Sequence, residues 1–204
     1  TAPVELGGAI LPSLIAQFIK TYPQSRVDVH LTDERVDLLL GQYDLAIRAG
    51  DLKDSTLIAK KLGQVTFAAF ASPKYLKSAK TLKDPQDLKD KSCIQFGPLG
   101  AHEWKLTNGK STRAVQLPGR LLLNDLNMVK AMAIDGHGIA LLPSFFCDQE
   151  LRLGRLERVL DSWRTGFNPV HFVYPAQRFV LPAVREFIQL ATEPIRQRLS
   201  GQVF

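Results

Sequence analysis

The stretch from Asn124 to Pro143, Asn-Asp-Leu-Asn-Met-Val-Lys-Ala-Met-Ala-Ile-Asp-Gly-His-Gly-Ile-Ala-Leu-Leu-Pro, leaves the chain few choices of fold. Asn124 and Asp125 are residue types that cap helices. Behind them Val129, Met132, Ala133 and Gly136 recur at the spacing that lays one apolar stripe along a helix. Gly136 and Gly138 allow a tight exit that a side chain would obstruct. The apolar run Ile139 to Leu142, closed by Pro143, predicts a strand buried on both faces. A helix feeding such a strand is half of a helix-and-parallel-strand unit. Its capped start carries unpaired backbone N–H groups and a partial positive charge, which suits a small acidic or polar ligand.

Length allows one large domain or two small ones, since 204 residues can bury a good core. Hydrophobic residues make up 45% and charged residues 23%, the proportions of an ordinary soluble globular protein. No apolar run approaches the roughly 18 to 20 residues that span a bilayer, so no membrane partner is expected. The sequence starts at Thr1 without an initiator Met or a charged-then-apolar leader, and a fragment or processed form is expected. Cys93 and Cys147 belong to no Cys-x-x-Cys or Cys/His cluster, which argues against a disulfide scaffold and a zinc site and makes a reducing cytoplasm the default. A net charge of +6 would suit nucleic acid. The Lys and Arg residues are scattered, however, with no basic stripe and no interleaved aromatics, so a solvated surface is the better reading.

In chain order, Ile10, Leu11, Leu14, Ile15, Phe18 and Ile19 predict a helix from Leu6 to Tyr22, with Pro12 tolerable only near its first turn. Val27, Val29 and Leu31 alternate with polar residues and predict a strand with one buried face. Thr32 and Asp33 can cap a short helix with Val36, Leu39 and Leu40 inside, ended by Gly41. Leu45 to Ile47 predicts the next strand. Strand, helix and strand imply a parallel sheet, where ligands sit beyond the carboxyl ends, so Thr32 and Arg48 fall on one rim. Leu57 to Leu62 and Thr66 to Ala71 read as extended, Ser72-Pro73 as a helix start, and Asp84-Pro85 as the start of one or two helical turns. Cys93 to Phe96 is a strand, followed by a turn from Gly97 to Gly100. Trp104 to Thr107 and Ser111 to Gln116 form a hairpin around Asn108-Gly109, a pair that supplies the left-handed residues of a two-residue turn. Ser144 to Leu151 predicts a helix, Leu156 to Leu160 and Pro169 to Tyr174 strands, and Leu181 to Ile195 a long amphipathic helix.

Several segments follow one another as in a known family. They are Pro3-Val4, Phe18-x-x-x-Tyr22-Pro23, Val36-Asp37-Leu38, Tyr43-Asp44-Leu45-Ala46-Ile47-Arg48-x-Gly50 and Leu57-Ile58-Ala59-x-Lys61-Leu62. Ala71-Ser72-Pro73-x-Tyr75-Leu76, Asn124-Asp125, Gly136-x-Gly138-Ile139-Ala140-Leu141-Leu142-Pro143 and Val173-Tyr174-Pro175 continue the series. The ordered set resembles the effector-sensing part of the LysR-type transcriptional regulators over essentially the whole chain. The family's amino-terminal winged helix-turn-helix and linker helix have no counterpart in it. The resemblance implies an α/β fold of the periplasmic-binding-protein type (type II), with two Rossmann-like lobes joined by two crossover strands and a ligand cleft between them. Lobe I is then expected at 1–72 plus 177–204 and lobe II at 73–176, with crossings at Ala69 to Ser72 and Phe172 to Ala176. A small-molecule effector, a homodimer formed through the helix from Gly8 to Tyr22, and a possible tetramer in the full regulator are implied as partners. DNA would be reached only through the winged domain. No cofactor, metal or catalysis is expected.

Carried over by position, the cleft residues implied by the resemblance are Glu5, Thr32, Arg48, Phe96, Gly97, Asn124 and Asp125. Plainer roles compete: Thr32 and Asn124 suit simple capping, and Arg48 could pair with Asp44 or Asp51. Glu5 departs from the similar regulators, which usually have Ser there. An ionised Glu would repel a carboxylate, which favours a neutral, amine-bearing or cationic effector unless Glu5 points away. His137 reads as an exposed loop residue, and Trp104 and Trp163 as packing residues. No Ser, Cys or His set makes a nucleophile-base pattern. The rival reading on the same fold is a periplasmic solute-binding protein.

Overall fold

The structure, a computed structural model, describes residues 1–34, 36–50, 57–79, 82–100, 102–176 and 181–200. The chain divides into two compact units, one made of Thr1–Val65 and Asn168–Phe204 and the other of Thr66–Phe167. Both passages between units thus come a few residues earlier in the chain than the expected crossings.

The first unit opens with helix α1 (Val4–Thr21), whose buried face is Leu6, Ile10, Leu11, Leu14 and Phe18. Pro12 lies well inside this helix, not in its first turn as expected. It is tolerated because Pro12 and Gly8, whose carbonyl loses its donor there, are both on the exposed side, where water can replace the bond. Strands β1 (Ala46–Ala49) and β2 (Leu57–Val65) flank a strand from the end of the chain, in an antiparallel three-stranded sheet.

The second unit contains β3 (Phe67–Ala71), a one-turn helix α2 (Pro73–Leu76), β4 (Cys93–Phe96), β5 (Glu103–Thr107), β6 (Thr112–Gln116) and β7 (Leu121–Leu123). Helix α3 (Leu126–Ile134), β8 (Ile139–Pro143), α4 (Asp148–Arg152) and β9 (Glu157–Arg164) complete it. The remaining elements, β10 (Asn168–Pro175) and α5 (Pro182–Leu199), return to the first unit. Seven strands of the second unit form one sheet in the order β6-β5-β9-β3-β8-β4-β7. Every residue of β3, β4 and β8 is buried, as expected for strands covered on both faces. β4 runs parallel to both β7 and β8, so β7, α3 and β8 make the helix-and-parallel-strand unit that the stretch from Asn124 to Pro143 predicts.

Several sequence expectations need correction. Residues 27–30 form no strand; Leu31 makes a single parallel bridge to Ala2, and Val29 and Leu31 are 46% and 36% exposed. Alternation marks a half-buried strand only where something covers the apolar face. The short helix expected before Gly41 is a hydrogen-bonded turn, tied by Asp37 Oδ1 accepting from the N–H groups of Leu39 and Leu40. Its inward residue is Leu38, while Leu39 and Leu40 face solvent. In the hairpin the positive φ is at Gly109, not Asn108; Asn108 instead accepts from Lys110 and Ser111 N–H through its side chain. The helix expected from Ser144 to Leu151 is broken at Cys147 into a 3₁₀ turn (Ser144–Phe146) and α4. Strand β9 runs on to Arg164 through a bulge opposite Ala68 and Ala69. The capped starts at Ser72 and Asp84 are present. Among the described residues, no helix is long and apolar enough to cross a membrane, and no three His, Cys, Asp or Glu side chains group as metal ligands.

Candidate functional site

The seven predicted site residues fall into two groups, one in each unit. In the second unit, β4 and β7 are parallel neighbours with Phe96 opposite Leu123, so Gly97 and Asn124 leave adjacent carboxyl ends. Phe96 is buried and Gly97 opens a 3₁₀ turn (Gly97–Leu99). Asp125 is the N-cap of α3, its Oδ1 accepting from Met128 N–H at 2.6 Å. Asn124, also read as a possible cap, is exposed and does not cap the helix. The helix start is held in place from behind, since Leu126, Val129 and Ala133 are buried. At its far end the chain turns at Gly136, with φ +88°, and passes Gly138, where a Cβ would collide with the Ser92 carbonyl.

In the first unit the same kind of rim arises without a regular ladder. Ala2 N–H donates to the His30 carbonyl and Thr32 N–H donates to the Ala2 carbonyl, at 3.2 and 2.9 Å. On the other side, Ile47 N–H donates to the Thr1 carbonyl and the Thr1 amino group donates to the Leu45 carbonyl, each at 2.9 Å. Residues 1–2 therefore lie between residues 30–32 and 45–47. Glu5, Thr32 and Arg48 follow the carboxyl ends of these three segments.

Thr32 and Arg48 both bond to the irregular segment 32–36. Thr32 Oγ1 accepts from Glu34 N–H at 3.1 Å, closing a turn instead of capping a helix. Arg48 donates to the carbonyls of Glu34 at 3.0 Å and Val36 at 3.5 Å, bonds that tie the irregular segment to β1. Of the carboxylate partners considered for it, Asp51 lies outside the described residues. Glu5, in the first turn of α1, is only 6% exposed.

Sequence reasoning missed Asp33. The residue before α1 is Pro3, which has no side-chain capping bond, and Asp33 Oδ1 accepts from Val4 N–H at 3.2 Å in its stead. A carboxylate thus serves a helix start 29 residues away in sequence. Only its residue type signalled a cap; which helix it serves was invisible.

The thiols offer no chemistry. Burial pushes Cys93 up to about 12 and raises Cys147 further, so both stay protonated and unreactive near neutral pH. A groove of about 460 Å³ beside Leu76, Leu82, Lys83 and Leu160 includes none of the predicted site residues. It lies elsewhere on the second unit, so the strand ends remain the better candidate.

The LysR substrate-binding-domain family model matches residues 1–195. The chain belongs to that family. Its fold is accordingly the periplasmic-binding-protein type (type II). The transcriptional regulator PtxR of Pseudomonas aeruginosa is 33% identical over 205 residues, covering 100% of this chain and 64% of PtxR. PgrR of Escherichia coli is 30% identical over 185 residues, covering 88% of this chain and 61% of PgrR. This LysR domain thus spans just under two thirds of each of these relatives, which are transcriptional regulators and not solute-binding proteins. Among solved structures, the full-length virulence activator AphB of Vibrio cholerae is similar with a TM-score of 0.83 and 28% identity, over 94% of this chain and 65% of AphB. The regulatory domain of AphB from Vibrio vulnificus gives a TM-score of 0.78 and 27% identity, with 93% of each chain covered.

Proposed function

We propose that this LysR domain is the effector-sensing part of a cytoplasmic bacterial transcription factor and performs no catalysis. The observation that carries the reading is the family match over residues 1–195, together with relatives that regulate transcription. DNA contact then belongs to parts of the regulator outside this chain. The effector is a small metabolite taken up at the strand ends by Glu5, Thr32 and Arg48 in lobe I and Phe96, Gly97, Asn124 and Asp125 in lobe II. A ligand that binds one arrangement of the lobes better than another shifts the population towards it, and differential affinity is all the mechanism requires. A homodimer using the helix from Gly8 to Tyr22 carries that shift to the DNA-binding parts.

The effector is neutral or carries an amine. Two features support this: Asp33 already places a carboxylate on the Val4 N–H, and Glu5 is buried in the same helical turn. The position where a helix start would attract an anion is therefore furnished by the protein itself. A thermal-shift screen of amines, neutral metabolites and aromatic acids tests the reading, because a ligand that binds only the folded form raises Tm. Amines or neutral compounds are expected to raise it, and Glu5→Ser is expected to move the preference towards carboxylates. A wild-type response confined to aromatic acids would overturn the charge assignment.

A further inference from the structure

The groove of about 460 Å³ lies wholly within the second unit, between the segment that begins at the end of α2 and strand β9. Its volume is that of a cleft for a small organic ligand. A regular strand presents only alternate residues to one side, yet six consecutive residues of β9, 157–162, line this groove. The reason is a break in the ladder. The pairing with β3 jumps from Val159 opposite Ala69 to Arg164 opposite Ala68, so residues 160–163 have no counterpart on β3. At the start of the break Leu160 takes φ +55°, a left-handed conformation that a bulky side chain rarely adopts, while remaining only 5% exposed. Breaks and strain of this kind gather where a protein re-aims side chains towards a ligand.

The lining says what fits. Leu76, Ala79 and Leu82 are half-buried and Val159 and Leu160 are buried, which makes an aliphatic floor, and no aromatic ring is among the described lining residues. Lys83, Arg158, Glu157 and Asp161 stand exposed around it. No salt bridge among the described residues engages any of the four. An anion in the groove would meet repulsion from Glu157 and Asp161, and a cation from Lys83 and Arg158. An uncharged apolar molecule would leave all four idle. A compact zwitterion with an aliphatic body complements both pairs and the floor together.

We propose that this groove is a second small-molecule site, for a zwitterion with the chemistry of a free branched aliphatic amino acid. Arg158 and Lys83 take the carboxylate, Glu157 and Asp161 take the ammonium, and the hydrocarbon rests on Leu76, Leu82 and Leu160. The site shares no residue with the strand ends, so the assignment is independent of the effector proposed there.

Titration of the 204-residue chain with L-leucine, followed through backbone amide NMR shifts, tests it. The controls are 4-methylpentanoate and isopentylamine, which carry the carboxylate alone or the amine alone on the same hydrocarbon. Saturable shifts confined to residues 76–79, 82–83 and 157–162 are expected with L-leucine. Either control should bind roughly tenfold more weakly or worse, and so should L-leucine to Arg158→Gln or Asp161→Asn, since each removes a charge-assisted bond. Both substituted residues are exposed, so the fold is retained. Shifts at Gly97 and Asn124 to Met128 instead would make L-leucine a strand-end ligand and overturn the groove site. The absence of saturable shifts at millimolar L-leucine, or equal binding of a singly charged control, would overturn it as well.

Discussion

The two units reach the same architectural end, a rim of strand carboxyl ends near a helix start, by different means. In the second unit β4 and β7 are hydrogen-bonded parallel neighbours, backed by β3 and β8, and α3 carries its own cap at Asp125. In the first unit the rim depends on single bonds made by irregular chain: one bridge at Leu31, Asp33 on Val4, and Arg48 on two carbonyls. The difference teaches where rigidity resides. A rim supported by buried strands is preformed, whereas one tied by a few exposed side-chain bonds opens at low free energy and is suited to respond to a ligand.

The sharpest way to break this contrast is a matched pair of core truncations. Leu142→Ala in β8, at 0% exposure, is expected to destabilise the second unit by about 2–5 kcal/mol in denaturant unfolding. Leu38→Ala removes a residue from a small buried cluster with Ala46 and Val173, ringed by half-buried Val36, Tyr43 and Leu57, and is expected at or below the low end of that range. An equal or greater loss for Leu38→Ala would erase the distinction. Next in size comes Gly138→Ala, because its Cβ meets the Ser92 carbonyl, a backbone atom that cannot rotate aside. We expect a loss of roughly 1–3 kcal/mol in the same assay, and an unaltered midpoint would show that the passage from α3 into β8 is looser than described.

Caps offer a finer comparison. Asp125→Ala and Asp33→Ala each remove one capping bond, worth about 1 kcal/mol. Hydrogen exchange should separate them. Loss of Asp125 speeds exchange within α3 alone, whereas loss of Asp33 loosens both the start of α1 and residues 30–34. Confinement of the second effect to α1 would mean that Asp33 does not tie the two segments.

The smallest effect near neutrality is the thiol linkage. Because Cys93 is raised to about 12 in the folded state, folding keeps it protonated, and the stability it confers is complete below the unfolded pKa of about 8.5. That contribution is then lost as pH rises towards 12. Native thiols should also resist a thiol reagent until denaturant is added. Fast labelling of the native domain at pH 8 would contradict the burial of Cys93 and Cys147.

Much of the second unit was legible in advance because its signals are short in range. Apolar runs bounded by turn residues gave β4 and β8, Ser72 and Asp84 capped the segments that follow them, and Asp125 capped α3. Residues 27–41 misled for the opposite reason. Their alternation and cap residues are real, but Val29, Leu39 and Leu40 are exposed because no other part of the described chain covers them. Of the candidate site, Gly97 and Asn124 were named only through the family resemblance; that they leave neighbouring strand ends, and that Arg48 bonds to backbone carbonyls, came from the structure.

Local chemistry in the amino-acid order determined which stretches become helices and buried strands, because periodicity, caps and glycine positions act within a few residues. Tertiary structure decided which partner each polar group finds: Asp33 with a helix start 29 residues before it, and Arg48 with the carbonyls of Glu34 and Val36. Those pairings depend on chain ends brought together across long loops, a distance over which sequence pattern carries no information.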